Sequence, residues 1–471
     1  MLHTDQFTPA GTLEAPPLPR PRGPLSEAVL SALRRRPGHL SIPPATTGGD
    51  PLADDDLQLA LYACYEQHYR SFAGVDPEWE WQPSLLAARR SLEAPFEQAL
   101  REAVTVPAAA PEQVEATLRT MVAADEAPAL SRTLERDASR ERFSEFLIHR
   151  SAYQLKEADP HSWAVPRLAG RPKEALVEVQ ADEYGGGAAG RMHATLFAAS
   201  MRALGLDDRY GAYLDRLPGT TLATVNLMSL MGLHRRLRGG IVGHLAVFEM
   251  TSPAPNRRYA AGLRRLGLEA ATEFFDEHVE ADAVHEAIAA HDLAEGLART
   301  EPELTGDILF GGAALLELEG RFARAVLSAW DAGASSLLPP ARGCPDPVPA
   351  CGLLAEAALG GEVAGQMRAV AERPQPRPSA PAEGHRLAAH LDLTTVLVGE
   401  GERPADDQRP VLVGGDHGAP HVQAVPGPAR REPAAAQRDC GGRPCTSLHH
   451  ARGRRGTVVA AHPPATTYEP C

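Results

Sequence analysis

The sequence has little cysteine, few aromatic residues and a deficit of positive charge. Six cysteines occur among 471 residues, and Cys64 alone precedes Cys344, so a disulfide framework that holds the folded part together is excluded. The net charge of −14 argues against nucleic acid or an anionic membrane as a partner. No run of about 18 apolar residues occurs, and the Pro-rich start lacks the apolar segment of a secretory signal. We therefore expect a cytoplasmic protein with no membrane partner.

Glycine and proline are abundant, at 42 residues each, which predicts disordered segments around a folded domain. Residues 1–55 are predicted to be a disordered tail, although the amphipathic stretch 25–36 is compatible with docking on the domain. Residues 56–340 are predicted to be the folded domain. Residues 341–471 are predicted to be a Pro-, Gly- and Arg-rich tail of low order. Its segment RDCGGRPCTSLHHARG resembles the small CDGSH iron–sulfur domain, but it has two of the three cysteines required, so we interpret it as a degraded remnant.

The hydrophobic pattern between residues 56 and 340 predicts an all-α fold. Apolar residues recur three and four positions apart, and the alternation typical of strands is absent. The predicted helices begin near residue 57 and continue over 83–104, 111–125, 130–156, 191–204, 222–249, 255–266, 271–291 and 308–330.

The strongest chemical signal is an HxxxDxxH pattern in the predicted helix 271–291. At about 100° per residue, His278, Asp282 and His285 fall within roughly 60° of arc over about 10 Å of helix. Two imidazoles and a carboxylate therefore face one direction, as metal ligation requires. A solvated polar face is the alternative, but Phe275 and Val279 are among several apolar residues interleaved with the three.

Four further residues complete a plausible site. Glu157 follows the predicted helix 130–156, Glu183 and His193 flank a glycine run, and Glu249 ends an apolar helix. Singly, the first three are compatible with ordinary surface positions, whereas an acid after the run IVGHLAVF is expected to be buried or ligating. Together the seven nitrogen and oxygen donors, without a thiolate, favour a pair of iron or manganese ions.

Four segments resemble one known family: LKEADPHSWAVPRL, VQADEYGGGAAGRMHATLF, TLATVNLMSLMGLHRRLRGGIVGHLAVFEMTS and FFDEHVEADAVHEAIAAHD. The resemblance, over about residues 130–338, is to the iron-containing redox enzymes, the heme-oxygenase-like diiron oxidases and oxygenases. It implies a helical bundle that binds no heme but two Fe(II) ions per chain, with O2 as co-substrate. The ligand set it implies is Glu157, Glu183, His193, Glu249, His278, Asp282 and His285.

The resemblance implies an enzyme that oxidises a small organic substrate such as an amino acid or a fatty acid. An external electron donor and self-association as a homodimer are compatible with it. Two alternatives stay open. The first is a metal-free oxidase on the same scaffold, of the kind that builds quinone cofactors, although such a site has no use for seven donors. The second is a helical protein that binds iron without catalysis.

Overall fold

The computed structural model describes residues 15–45 and 49–340. Every regular element in these residues is helical, so the predicted all-α fold is confirmed. The helices are α1 (Pro24–Leu33), α2 (Asp55–Glu66), α3 (Pro83–Ala103), α4 (Val114–Ala123), α5 (Leu130–Arg136), α6 (Arg140–Gln154), α7 (Asp159–Ser162), α8 (Gly170–Glu183), α9 (His193–Ala203), α10 (Gly219–Leu233), α11 (Arg238–Thr251), α12 (Pro253–Arg265), α13 (Glu273–Ala287), α14 (Gly296–Thr300) and α15 (Thr305–Asp331). Within the described ranges, no helix has the length and apolar character needed to cross a bilayer.

The observed helices differ from the predicted ones in several places. The predicted helix 130–156 is divided into α5 and α6, and Ser139 caps the second by accepting a hydrogen bond from the Arg142 amide. The predicted helix 222–249 is divided into α10 and α11 by a short 3-10 turn. Helix α8 was not predicted because its sequence has few apolar residues. A π-helical segment, Ile288–Glu295, continues α13.

The described part of the N-terminal segment contains α1, within the stretch for which the sequence left docking on the domain open. Helix α1 packs against α2 and buries Val29, Leu30 and Leu33 completely. Asp56 accepts hydrogen bonds from the amides of Leu25 and Ser26 at 2.9 and 2.7 Å. The apolar side of this helix is stabilised by burial against the domain. The predicted C-terminal tail, with its CDGSH-like segment, lies outside the described residues.

Helices α11 and α15 form the most extensive helix pair of the core. Gly243 and Gly311 make this approach possible, since a Cβ on Gly243 would lie 1.8 Å from the Ile308 carbonyl oxygen. A Cβ on Gly311 would lie 1.9 Å from the Gly240 carbonyl oxygen. The close contact fixes α11, which carries Glu249, in the centre of the bundle.

Candidate metal centre

Five segments of the bundle bring the seven predicted residues together. Glu157 lies in the turn between α6 and α7, where Ala158 has a left-handed backbone with φ of 73°. Glu249 lies on α11, and His278, Asp282 and His285 lie on α13. All seven side chains are buried. The solvated-face alternative for the HxxxDxxH pattern is therefore excluded.

The turn of three glycines brings Glu183 to His193. Glu183 is the last residue of α8 and His193 is the first residue of α9. Gly185 has φ of 78°, and a Cβ there would lie 2.6 Å from the Arg191 carbonyl carbon, so only glycine fits this sharp reversal. The reversal leaves His193 Nδ1 2.8 Å from Glu183 Oε2.

Four of the side chains form a first donor group. Glu157, Glu183, His193 and His278 each offer one nitrogen or oxygen atom, and these four atoms lie within 4.8 Å of one another. His278 Nδ1 donates to the Phe274 carbonyl oxygen at 2.8 Å. In the neutral ring this hydrogen bond leaves Nε2 as the nitrogen with the lone pair, and Nε2 lies 3.5 Å from Glu157 Oε1. An imidazole held in this way is the form that ligates a metal.

A second donor group adjoins the first and shares Glu183 with it. Glu183, Glu249 and His285 offer atoms within the same 4.8 Å limit, and His285 Nδ1 lies 3.8 Å from an oxygen of each acid. His285 Nε2 pairs at 3.0 Å with the exposed Asp182, which was not predicted from the sequence. Asp282 belongs to neither group, but its Oδ1 lies 3.9 Å from His285 Nδ1.

Polar atoms of the centre are buried without hydrogen-bond partners in the described part of the chain. They are Glu157 Oε2, His278 Nε2, both Asp282 carboxylate oxygens and His285 Nδ1. Glu183 Oε2 and His193 Nδ1 are also buried and lie 2.8 Å from each other. Buried polar atoms are normally paired, and an orphaned atom costs about 1–3 kcal/mol. Orphaned lone pairs that converge from acids and imidazoles fit a bound cation. The donor set of imidazole nitrogens and carboxylate oxygens therefore fits iron.

The buried acids of the centre also require a nearby positive charge if they are to be ionised. Burial raises the pKa of Glu157 and Asp282, and burial together with Asp282 and Glu183 raises the pKa of Glu249 well above its usual range. Burial acts against ionisation of Glu183 as well, but the contact with His193 prevails and lowers its pKa. Burial opposes protonation of His278, yet Glu157 raises its pKa well above the usual value. In the absence of a cation, protons on these residues must balance the acids.

A larger cavity borders the centre at His278. It is partly open to solvent. Much of its wall is aromatic, with Phe197, Phe248, Phe274 and Phe275 among the lining side chains. Arg150 and Glu319 also line it, joined by two parallel hydrogen bonds of 2.8 and 2.7 Å. An aromatic lining with a few polar groups is typical of a site for a small organic ligand.

A helical bundle with acids and imidazoles converging between its core helices defines a class of metal-binding proteins. Residues 144–320 match the family described as iron-containing redox enzyme, so the resemblance inferred from the sequence is confirmed over this part of the chain. All seven predicted residues lie inside the matched segment. The match supports an oxidoreductase with iron as its metal. No curated protein matches the chain.

Proposed function

We propose that the protein is a non-heme diiron oxidase or oxygenase that uses O2 to oxidise a small organic substrate in the cytoplasm. The observation that carries this proposal is the pair of donor groups joined through Glu183. A carboxylate with two oxygens can contact two cations at once, and the other donors divide between the two sides. Two adjacent ions are thus a better fit to the centre than one.

The residues of the two groups would hold the ions in different surroundings. Glu157, His193 and His278 would hold one ion, Glu249 and His285 would hold the other, and Glu183 would contact both. When bound, ferrous ions supply electrons for the reduction of O2. Asp282, beside the second group, is available to hold a proton or to join the ligands.

The surrounding residues would orient the ligands and the substrate. The Phe274 carbonyl and Asp182 fix the tautomers of His278 and His285, so that each presents a lone pair to the centre. The phenylalanines of the adjacent cavity would exclude water from the reacting part of the substrate and bind its apolar portion. The substrate would therefore approach the centre on the side of His278.

Two observations weigh against the alternatives. A metal-free quinone-type oxidase gives no role to the buried unpartnered atoms of the two groups, which would destabilise the protein without benefit. A protein that only stores iron gives no role to the aromatic cavity beside His278. Turnover of an organic molecule uses both features.

The proposal is tested by anaerobic titration of the apoprotein with Fe(II), followed by exposure to O2. We expect two equivalents to bind and to be oxidised rapidly by O2, with consumption that is stimulated by the correct organic substrate. His278→Ala should lose iron while its far-ultraviolet circular dichroism stays unchanged. His291→Ala, at an exposed position beyond α13, is the matched control and should bind iron normally. Binding of no iron by the parent protein, or full occupancy in His278→Ala, would refute the proposal.

A further inference from the structure

A second pair of histidines lies beside the candidate metal centre and outside its two donor groups. His161 is on α7, four residues after Glu157, and His244 is on α11, five residues before Glu249. Their exposed fractions are 1% and 3%. His161 Nε2 lies 3.2 Å from His244 Nδ1, within hydrogen-bond distance. The two rings therefore share one hydrogen bond in the interior of the bundle.

The two histidines border different cavities. His161 lines a small space together with Glu157, Glu183 and Glu249, which is the interior of the metal centre. His244 lines a second small space together with Arg150 and Glu319. The side chains of Arg150 and Glu319 are 22% and 18% exposed, so this second space reaches groups in contact with water. The pair thus spans the layer of protein between the centre and the outer cavity, the space that Arg150 and Glu319 line.

Both rings are neutral at physiological pH. Burial lowers the pKa of His161 to about 4, and burial together with His161 lowers the pKa of His244 well below its usual value. A neutral imidazole has one donor nitrogen and one acceptor nitrogen. One nitrogen of each ring is used between the rings, and the other nitrogen has no hydrogen-bond partner among residues 15–45 and 49–340. Each end of the pair is therefore able to exchange a proton with its own cavity.

We propose that His161 and His244 form a proton relay between the outer cavity and the metal centre. The inference rests on the proposed function, because reduction of O2 at the enclosed centre consumes protons. Water in the outer cavity gives a proton to His244 Nε2, and the Nδ1 proton of His244 passes to His161 Nε2. The Nδ1 proton of His161 then passes to a base in the centre. One proton enters and one leaves, and both rings end as neutral tautomers with the hydrogen bond reversed.

A proton-transfer role and a packing role predict different behaviour for His244→Phe. Phenylalanine keeps a flat ring beside Phe248, whose ring stacks on His244 at 5.9 Å and 18°, but it has no nitrogen. We expect the variant to bind iron and to unfold at a temperature close to that of the parent. The single-turnover oxidation of its bound Fe(II) by O2 should be slower by about tenfold or more. The solvent deuterium isotope effect on that rate should increase. His291→Phe, at an exposed histidine, should change neither rate nor isotope effect.

Two further measurements separate the relay from a loss of packing. In His244→Ala, added imidazole should restore part of the oxidation rate, since it supplies the missing nitrogens in the space vacated by the side chain. In the parent apoprotein labelled with ¹⁵N-histidine, a coupling across the His161–His244 hydrogen bond should be visible by NMR. Its ring proton should exchange with water faster than that of His149, a histidine buried elsewhere.

The failure of the relay is distinguishable from failure of the proposed function. If the parent binds no iron, the proposed function is wrong and the relay is refuted with it. If His244→Phe binds iron and oxidises it at the parental rate with an unchanged isotope effect, the relay is wrong while the diiron proposal stands.

Discussion

Substitution of Glu183 should distinguish a centre whose two ions share a ligand from a pair of independent metal sites. It is common to both donor groups, so Glu183→Gln reduces four donors to three in one group and three to two in the other. Tight four-ligand sites have binding energies of about 10–16 kcal/mol, or roughly 3 kcal/mol per ligand. A loss of about 3 kcal/mol weakens binding by more than 100-fold. We therefore expect Glu183→Gln to weaken the binding of both ions, each by about two orders of magnitude.

The assay is an anaerobic Fe(II) titration of four proteins. The parent should bind two equivalents, and Glu183→Gln should bind neither tightly. Glu249→Gln alters one group only and should retain one tight equivalent. Glu178→Gln, on the same helix as Glu183 with a 53% exposed side chain, controls for the loss of a negative charge on α8 and should bind as the parent does. Retention of one tight equivalent by Glu183→Gln would show that Glu183 serves a single ion, and the shared-ligand reasoning would be refuted.

Two further predictions concern stability. Lys156 and Glu66 form a buried ion pair at 3.1 Å. Lys156→Met leaves the Glu66 charge buried without its partner and should lower the free energy of unfolding by about 3–5 kcal/mol in urea. His149 is buried with a pKa lowered to about 3, so the unfolded chain takes up a proton below about pH 6.5 while the folded protein does not. Its contribution to stability is present above pH 6.5 and falls by about 2–3 kcal/mol at pH 4.5.

Each of these predictions has a matched comparison. The double variant Lys156→Met, Glu66→Gln removes both charges and should be more stable than Lys156→Met, and an equal or lower stability would contradict the ion-pair reasoning. For the pH effect, His149→Gln keeps a polar side chain near Thr221 and Ser336, which lie 2.8 and 3.0 Å from the imidazole nitrogens. Its unfolding free energy should fall less between pH 7 and pH 4.5 than that of the parent. Identical losses would exclude His149 as the source.

The amino-acid sequence by itself determined the helical class and the common direction of three candidate ligands. The spacing of His278, Asp282 and His285 defines a common face wherever α13 lies, because helix geometry is local. The apolar run before Glu249 was likewise enough to predict its burial. These conclusions depended on neighbours a few residues apart, and no tertiary contact was needed to reach them.

Only the tertiary structure decided how the elements meet. It brought Glu183 into both donor groups, left Asp282 beside them, and joined His161 to His244 across 83 residues of sequence. It also ordered α1, whose apolar side is buried by contacts that composition cannot represent. The physical reason is that distances between elements depend on packing, such as the glycine contacts of α11 with α15, and packing is set by residues far apart in the chain.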